Sequence, residues 1–174
     1  MDIKEQTIAH IGLGRMGSGI AKNIQATGCH FTVYNRSTEK MQPFVAAGAK
    51  AARTPREAAS DADIVVTSLM DDKSVFDVML GDDGLLAGMR GGAIHIGTST
   101  ISPAASTRCF ELHAAQGSHY LSAPFTFAEK RGVVEIRGQL ETCCGRLTDQ
   151  FEHTCREAAG IRSDEICIGS LLLS

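Results

Sequence analysis

The run Gly12-Leu13-Gly14-Arg15-Met16-Gly17 constrains this chain more than any other stretch. It follows a short apolar run, Thr7 to Ile11, and opens a segment with apolar residues at Met16, Ile20 and Ile24, the spacing of one helix face. Strand, glycine turn and helix is the implied order. In such a unit the glycines have separate tasks. Gly12 makes the tight turn, Gly14 lets backbone approach a pyrophosphate, and Gly17 lets the helix pack closely on the strand. The helix start would then present its unpaired N–H groups and the positive end of its dipole to phosphate. Alone, the spacing also fits an ordinary glycine-rich turn; the correct flanking periods and a second strand at the expected distance favour a dinucleotide.

That second strand is Phe31-Thr32-Val33-Tyr34, after Gly28 at a helix C-terminus. At its end, 23 positions after Gly12, dinucleotide domains usually place Asp or Glu on the adenosine ribose, whereas here the chain reads Asn35-Arg36-Ser37. No carboxylate stands there to repel a 2′-phosphate, and Arg36 offers a planar cation flanked by neutral donors. A charge-assisted hydrogen bond contributes about 1.5–3 kcal/mol, roughly a ten- to hundredfold preference for NADP over NAD. A solvated surface arginine is the plain alternative.

The remaining pattern predicts a doubly wound, mostly parallel α/β sheet of Rossmann type. Ser37 or Thr38 caps a helix through Ala47, with Met41, Phe44 and Val45 inward; Ala49 to Ala52 is a short strand; Thr54-Pro55 starts a small helix. Ile64 to Ser68 reads as a strand covered on both faces, leading into Leu69-Met70-Asp71-Asp72 at the carboxyl edge. The two aspartates fit the start of a helix over Lys73 to Leu80 better than a metal pair. Gly81 to Gly92 is a turn-rich connection and Ala93 to Ile96 a strand, with His95, like His10, expected to be a core histidine bonded to backbone. Thr98, Ser99 and Thr100 then form a hydroxyl cluster before the helix start Ser102-Pro103. The cluster suits a small carboxylate, and a plain hydroxyl-rich turn equally well. His119 to Ser122 closes the sheet; beyond it, Val133 to Ile136 reads as a strand, Thr148 to Ala159 as a helix and Ile166 to Gly169 as a last strand.

With 174 residues the chain suits one well-buried domain, whose pattern is regular to about residue 128 and fades over 129–174. Net charge −3 gives no nucleic-acid or polybasic membrane footprint, and no apolar run reaches the length of a membrane span. The six cysteines lack metal-site spacing and read as reduced thiols in a soluble, cytoplasmic protein; no metal is expected.

The stretch from Gly12 to Ile24, the Asn35-Arg36-Ser37 end and Thr98-Ser99-Thr100-Ile101-Ser102-Pro103 together resemble the cofactor domain of the β-hydroxyacid dehydrogenases. This group includes 3-hydroxyisobutyrate dehydrogenase and the 6-phosphogluconate dehydrogenase N-terminal domain, with imine reductases as cousins. The likeness covers about residues 7 to 125. It implies that residues 12 to 17 (Gly12, Leu13, Gly14, Arg15, Met16 and Gly17) hold the pyrophosphate and Asn35 to Ser37 the adenosine end. Leu69, Met70 and Thr98 are then cofactor contacts, the first two near the nicotinamide half, while Ser99 and Thr100 lie at the substrate carboxylate. The implied reaction is NADP-dependent hydride transfer with a small hydroxy acid or its oxo form. Loose association as a homodimer is compatible with it.

Two departures stand out. Where the family carries Asp-Ala-Pro-Val-Ser-Gly-Gly, this chain has Ser122-Ala123-Pro124-Phe125-Thr126-Phe127-Ala128. Thr126 can supply the substrate-binding hydroxyl, but Phe127 and Ala128 put side chains where glycine leaves open backbone. The family's general acid/base lysine sits on a helix that would begin beyond Ser174, and Lys130 is not expected to replace it. Such proton exchange contributes about 10²–10⁴ in rate. A non-catalytic NADP-binding module or an inactive truncated homologue is therefore the alternative reading.

Overall fold

The computed structural model describes residues 3–124. Strands β1 (Thr7–Ile11), β2 (His30–Tyr34), β3 (Lys50–Ala51), β4 (Ile64–Thr67), β5 (Ile94–Gly97) and β6 (His119–Ser122) form one sheet in the order β3-β2-β1-β4-β5-β6. Every neighbouring pair is parallel. The chain steps outward from β1 to β3, then crosses back to lay β4 on the other side of β1 and continues outward to β6. The crevice outside the carboxyl ends of β1 and β4 is therefore the topological switch point, where doubly wound sheets hold ligands.

Helices α1 (Arg15–Ala26), α2 (Gln42–Ala46), α3 (Pro55–Ala59), α4 (Asp72–Met79), α5 (Leu85–Gly88) and α6 (Pro103–Ala115) cover the two faces. Ile20, Ala21 and Ile24 of α1 and Phe44 of α2 pack with Ile8, Phe31, Val33 and Val66 on one face. On the other, Ala58, Val75, Met79, Leu85 and Cys109 pack with Ala9, Ile11 and Val65. Alternate residues of β1 and β4 thus feed opposite cores, which is why neither strand shows polar alternation. Among the described residues no helix is long and apolar enough to cross a membrane.

Several local expectations shift. The buried stripe of α1 is Gly17, Ile20, Ala21 and Ile24, whereas Met16 is 43% exposed. Positions four apart drift about 40° per step on a 3.6-residue helix, so the stripe has to step back by three at one point. The segment from Thr38 is not one helix. A tight 3₁₀ turn, Thr38–Met41, passes into α2, because Pro43 lacks the N–H that a continuous helix would need, and Val45 faces outward at 44% exposure. Ser37 makes no side-chain cap. The strand expected over 49–52 is the two-residue edge β3. The connection from Gly81 to Gly92 contains α5, too short to show a period, packed so closely on α3 that a Cβ on Gly88 would meet the Arg56 carbonyl. The segments expected over 133–136, 148–159 and 166–169, with Thr126, Phe127, Ala128 and Lys130, lie outside the described residues. Of the cysteines, Cys29 and Cys109 are free thiols; the other four also lie outside them.

Candidate functional site

The site is built on the turn after β1. The Gly12 N–H donates to the Tyr34 carbonyl at 3.0 Å, tying the turn to the end of β2. Gly12 has φ 98°, a left-handed conformation that a side chain resists, and a Cβ there would also collide with the Ser68 carbonyl. A Cβ on Gly17 would strike the Gly12 carbonyl oxygen, so α1 lies as close to the turn as glycine permits. Gly14, by contrast, is exposed, with nothing within 4 Å of the position a Cβ would take. It is the N-cap of α1 without a side-chain cap, so the first N–H groups of the helix are open to an anion. Arg15 and Met16 are exposed at this start.

Leu13 and Asn35 play parts that spacing does not reveal. The Leu13 side chain is buried in the core, and its N–H donates to Asn35 Oδ1 at 2.8 Å. Asn35 Nδ2 in turn donates to the Ser37 carbonyl at 3.1 Å. Asn35 is a brace between the glycine turn and the loop after β2. Arg36 and Ser37 are exposed on that loop.

Across the switch point the ends of β4 and β5 are laced together. Thr98 Oγ1 donates to the Thr67 carbonyl at 2.8 Å and lies 2.8 Å from Ser68 Oγ, while Ser99 Oγ accepts the Leu69 N–H at 2.8 Å. Thr98 and Ser99 are buried; Thr100 and, at 88%, Met70 are exposed. Asp71 caps α4 through the Ser74 N–H at 2.8 Å. Asp72 goes further than a helix-start acid. It accepts the Ser102 hydroxyl at 2.6 Å and the Ser102 N–H at 2.9 Å, joining the starts of α4 and α6, and these bonds hold its carboxyl below the ordinary value.

Neither core histidine bonds to backbone as expected. His113 Nδ1 lies 2.7 Å from the Cys109 carbonyl, which only accepts, so that nitrogen carries the proton. His113 Nε2 then accepts from His95 Nδ1 at 3.0 Å, and His95 Nε2 accepts the Thr67 hydroxyl at 2.8 Å. Both rings are thereby neutral, and burial depresses their pKa values. His10 Nε2 meets Ser68 Oγ at 3.3 Å while its Nδ1 has no partner, and burial lowers its pKa to about 3. Ser68, His113 and the Asn35 brace escaped sequence reasoning because their partners lie 18 to 58 positions away.

With this geometry in place, the comparisons are decisive about ancestry. The family model for the NAD binding domain of 6-phosphogluconate dehydrogenase matches residues 7–153. This chain belongs to that family. Among its relatives is YfjR of Bacillus subtilis (strain 168), an uncharacterized oxidoreductase, 50% identical over 117 residues that make up 67% of this chain and 41% of YfjR. Among solved structures, 3-hydroxyisobutyrate dehydrogenase of Mycobacterium tuberculosis with L-serine is 28% identical at TM-score 0.65, over 71% of this chain and 42% of that one. An imine reductase from Myxococcus stipitatus in complex with NADP+ is 29% identical at TM-score 0.64, over 70% and 42%. The chain thus spans about two fifths of the length of these family members. The six-stranded parallel sheet with its glycine turn is an NAD(P)-binding Rossmann fold.

Proposed function

We propose that this chain is the NADP-binding part of an oxidoreductase of the hydroxyacid dehydrogenase class, moving hydride between the nicotinamide ring and a small hydroxy acid or its oxo form. The observation that carries the cofactor choice is Arg36, exposed and without a hydrogen-bond or ion-pair partner among the described residues, beside a glycine turn that is open at Gly14. The turn suits a pyrophosphate because α1 starts at Gly14 without a side-chain cap and nothing lies within 4 Å of the position a Gly14 Cβ would take. The nicotinamide supplies the hydride; what this chain supplies is grip and orientation. Gly12 and Gly17 hold the turn against β4, and Asn35 sets the loop that carries Arg36 and Ser37. By the family resemblance Leu69, Met70 and Thr98 contact the cofactor, the first two near the nicotinamide half, and Ser99 and Thr100 the substrate carboxylate; Thr126, assigned to the same carboxylate, lies outside the described residues. Support comes from the oxidoreductases among the relatives and from the NADP+ held by the imine reductase neighbour.

Fluorescence titration tests this reading. NADPH should bind about ten- to hundredfold tighter than NADH, and Arg36→Ala should remove most of that preference. Equal affinities in the parent chain would refute it. A second reading, a non-catalytic NADP-binding module, is favoured by the burial of Thr98 and Ser99, whose hydroxyls are engaged in lacing the strand ends. Turnover by this chain on a panel of short 3-hydroxy acids would overturn the module reading.

A further inference from the structure

A cleft of about 640 Å³ opens at the carboxyl ends of β2 and β3, lined by Arg36 and Thr38 on one side and by Arg53 on the other, over Val45 and Ala46 of α2. It lies on the side of β2 away from the glycine turn, and no carboxylate lines it. Parallel pairing places Val33 opposite Ala51, so the chain reaches Arg36 three residues and Arg53 two residues beyond the same register on adjacent strands. Two arginines from adjacent strand ends therefore line one cavity.

Arg53 is also held in a way that leaves it able to bind. Glu57 Oε2 accepts the Arg53 backbone N–H at 2.9 Å and its Nε at 3.3 Å, gripping the guanidinium at its base. The terminal nitrogens have no partner among the described residues, and the side chain is 90% exposed. A planar fork of N–H donors fixed at Nε suits the oxygens of a phosphate. Two arginines line one cleft that no carboxylate lines, and of the two only Arg53 is paired with an acid among the described residues, a configuration that favours a dianion.

We propose that Arg53 is a second specificity residue for the 2′-phosphate of NADP, holding it from the β3 side while Arg36 holds it from the β2 side. This rests on the NADP reading above. The plain alternative is an exposed Arg53–Glu57 pair on the surface of α3, which contributes little to anything.

The test is a set of titrations of the full chain and its Arg53→Ala, Arg53→Lys and Arg36→Ala variants with NADPH, NADH, adenosine 2′-monophosphate and adenosine 5′-monophosphate. Arg53→Ala should weaken NADPH and the 2′-monophosphate about three- to tenfold, between the value of an exposed ion pair and that of a charge-assisted hydrogen bond. NADH, the 5′-monophosphate and the melting temperature should stay unchanged. Arg53→Lys should recover part of the loss, and NADPH affinity should fall less steeply with salt in Arg53→Ala than in the parent. If Arg53→Ala keeps the parent's NADPH-to-NADH ratio while Arg36→Ala collapses it, or weakens all four ligands alike, the role of Arg53 is overturned and the NADP reading stands. If the parent binds NADPH no tighter than NADH, both fall.

Discussion

Lowering the pH from 7 to 5 should weaken this fold by an amount that His10 alone makes calculable. Its ring is fully buried, with Nδ1 unpartnered, and its pKa falls from 6.5 to about 3. The unfolded chain therefore takes up a proton near pH 6.5 that the folded chain refuses. The stability contributed by the neutral ring is complete above pH 6.5 and is lost as pH falls toward 3. With 1.36 kcal/mol per pH unit, the loss between pH 7 and 5 is about 2 kcal/mol. His95 and His113, held down by the same burial, act in the same direction. Glu57, Asp71 and Asp72 are depressed from 4.5, 3.8 and 3.8, so their contribution is lost below this window. Thermal melts across pH 5 to 7 should show a drop of roughly 4–8 °C or more, at about 2–4 °C per kcal/mol. His10→Gln should lower stability overall and flatten the slope. A flat profile in the parent chain, or a His10→Gln slope equal to the parent's, would refute the assignment.

Two further substitutions probe the turn. Gly17→Ala drives a Cβ into the Gly12 carbonyl and must push α1 off the strand; a loss of about 1–3 kcal/mol in urea melts, with weaker binding of NADPH and NADH alike, is expected. Asn35→Ala removes the acceptor of the buried Leu13 N–H and should weaken both cofactors by the same factor, unlike Arg36→Ala. A selective loss of NADPH in Asn35→Ala titrations would instead put Asn35 on the phosphate.

The glycine turn was legible because its demands are local. Gly12 needs a positive φ and Gly17 a missing Cβ, and both show as residue identity at fixed spacing. Caps were legible for the same reason: Thr54 and Ser102 each accept an N–H three residues on, directly before a proline. Asn35 was only partly legible: its identity fits both an adenosine contact and a brace, and the 2.8 Å bond to Leu13 shows the brace. For Thr98 and Ser99 residue identity shows hydroxyls, and only the pairing of β4 with β5 shows what they bond to within the protein.

Residue order alone determined that a strand–glycine–helix unit heads a parallel α/β sheet and that a cation rather than an acid follows β2, because turn conformation, helix period and charge are properties of neighbours in sequence. Tertiary structure decided which polar groups stay open to a ligand and which knit the framework, and it brought Arg53 to the cleft of Arg36. Those outcomes depend on strand order and register, which join residues far apart in the chain by packing that no local pattern encodes.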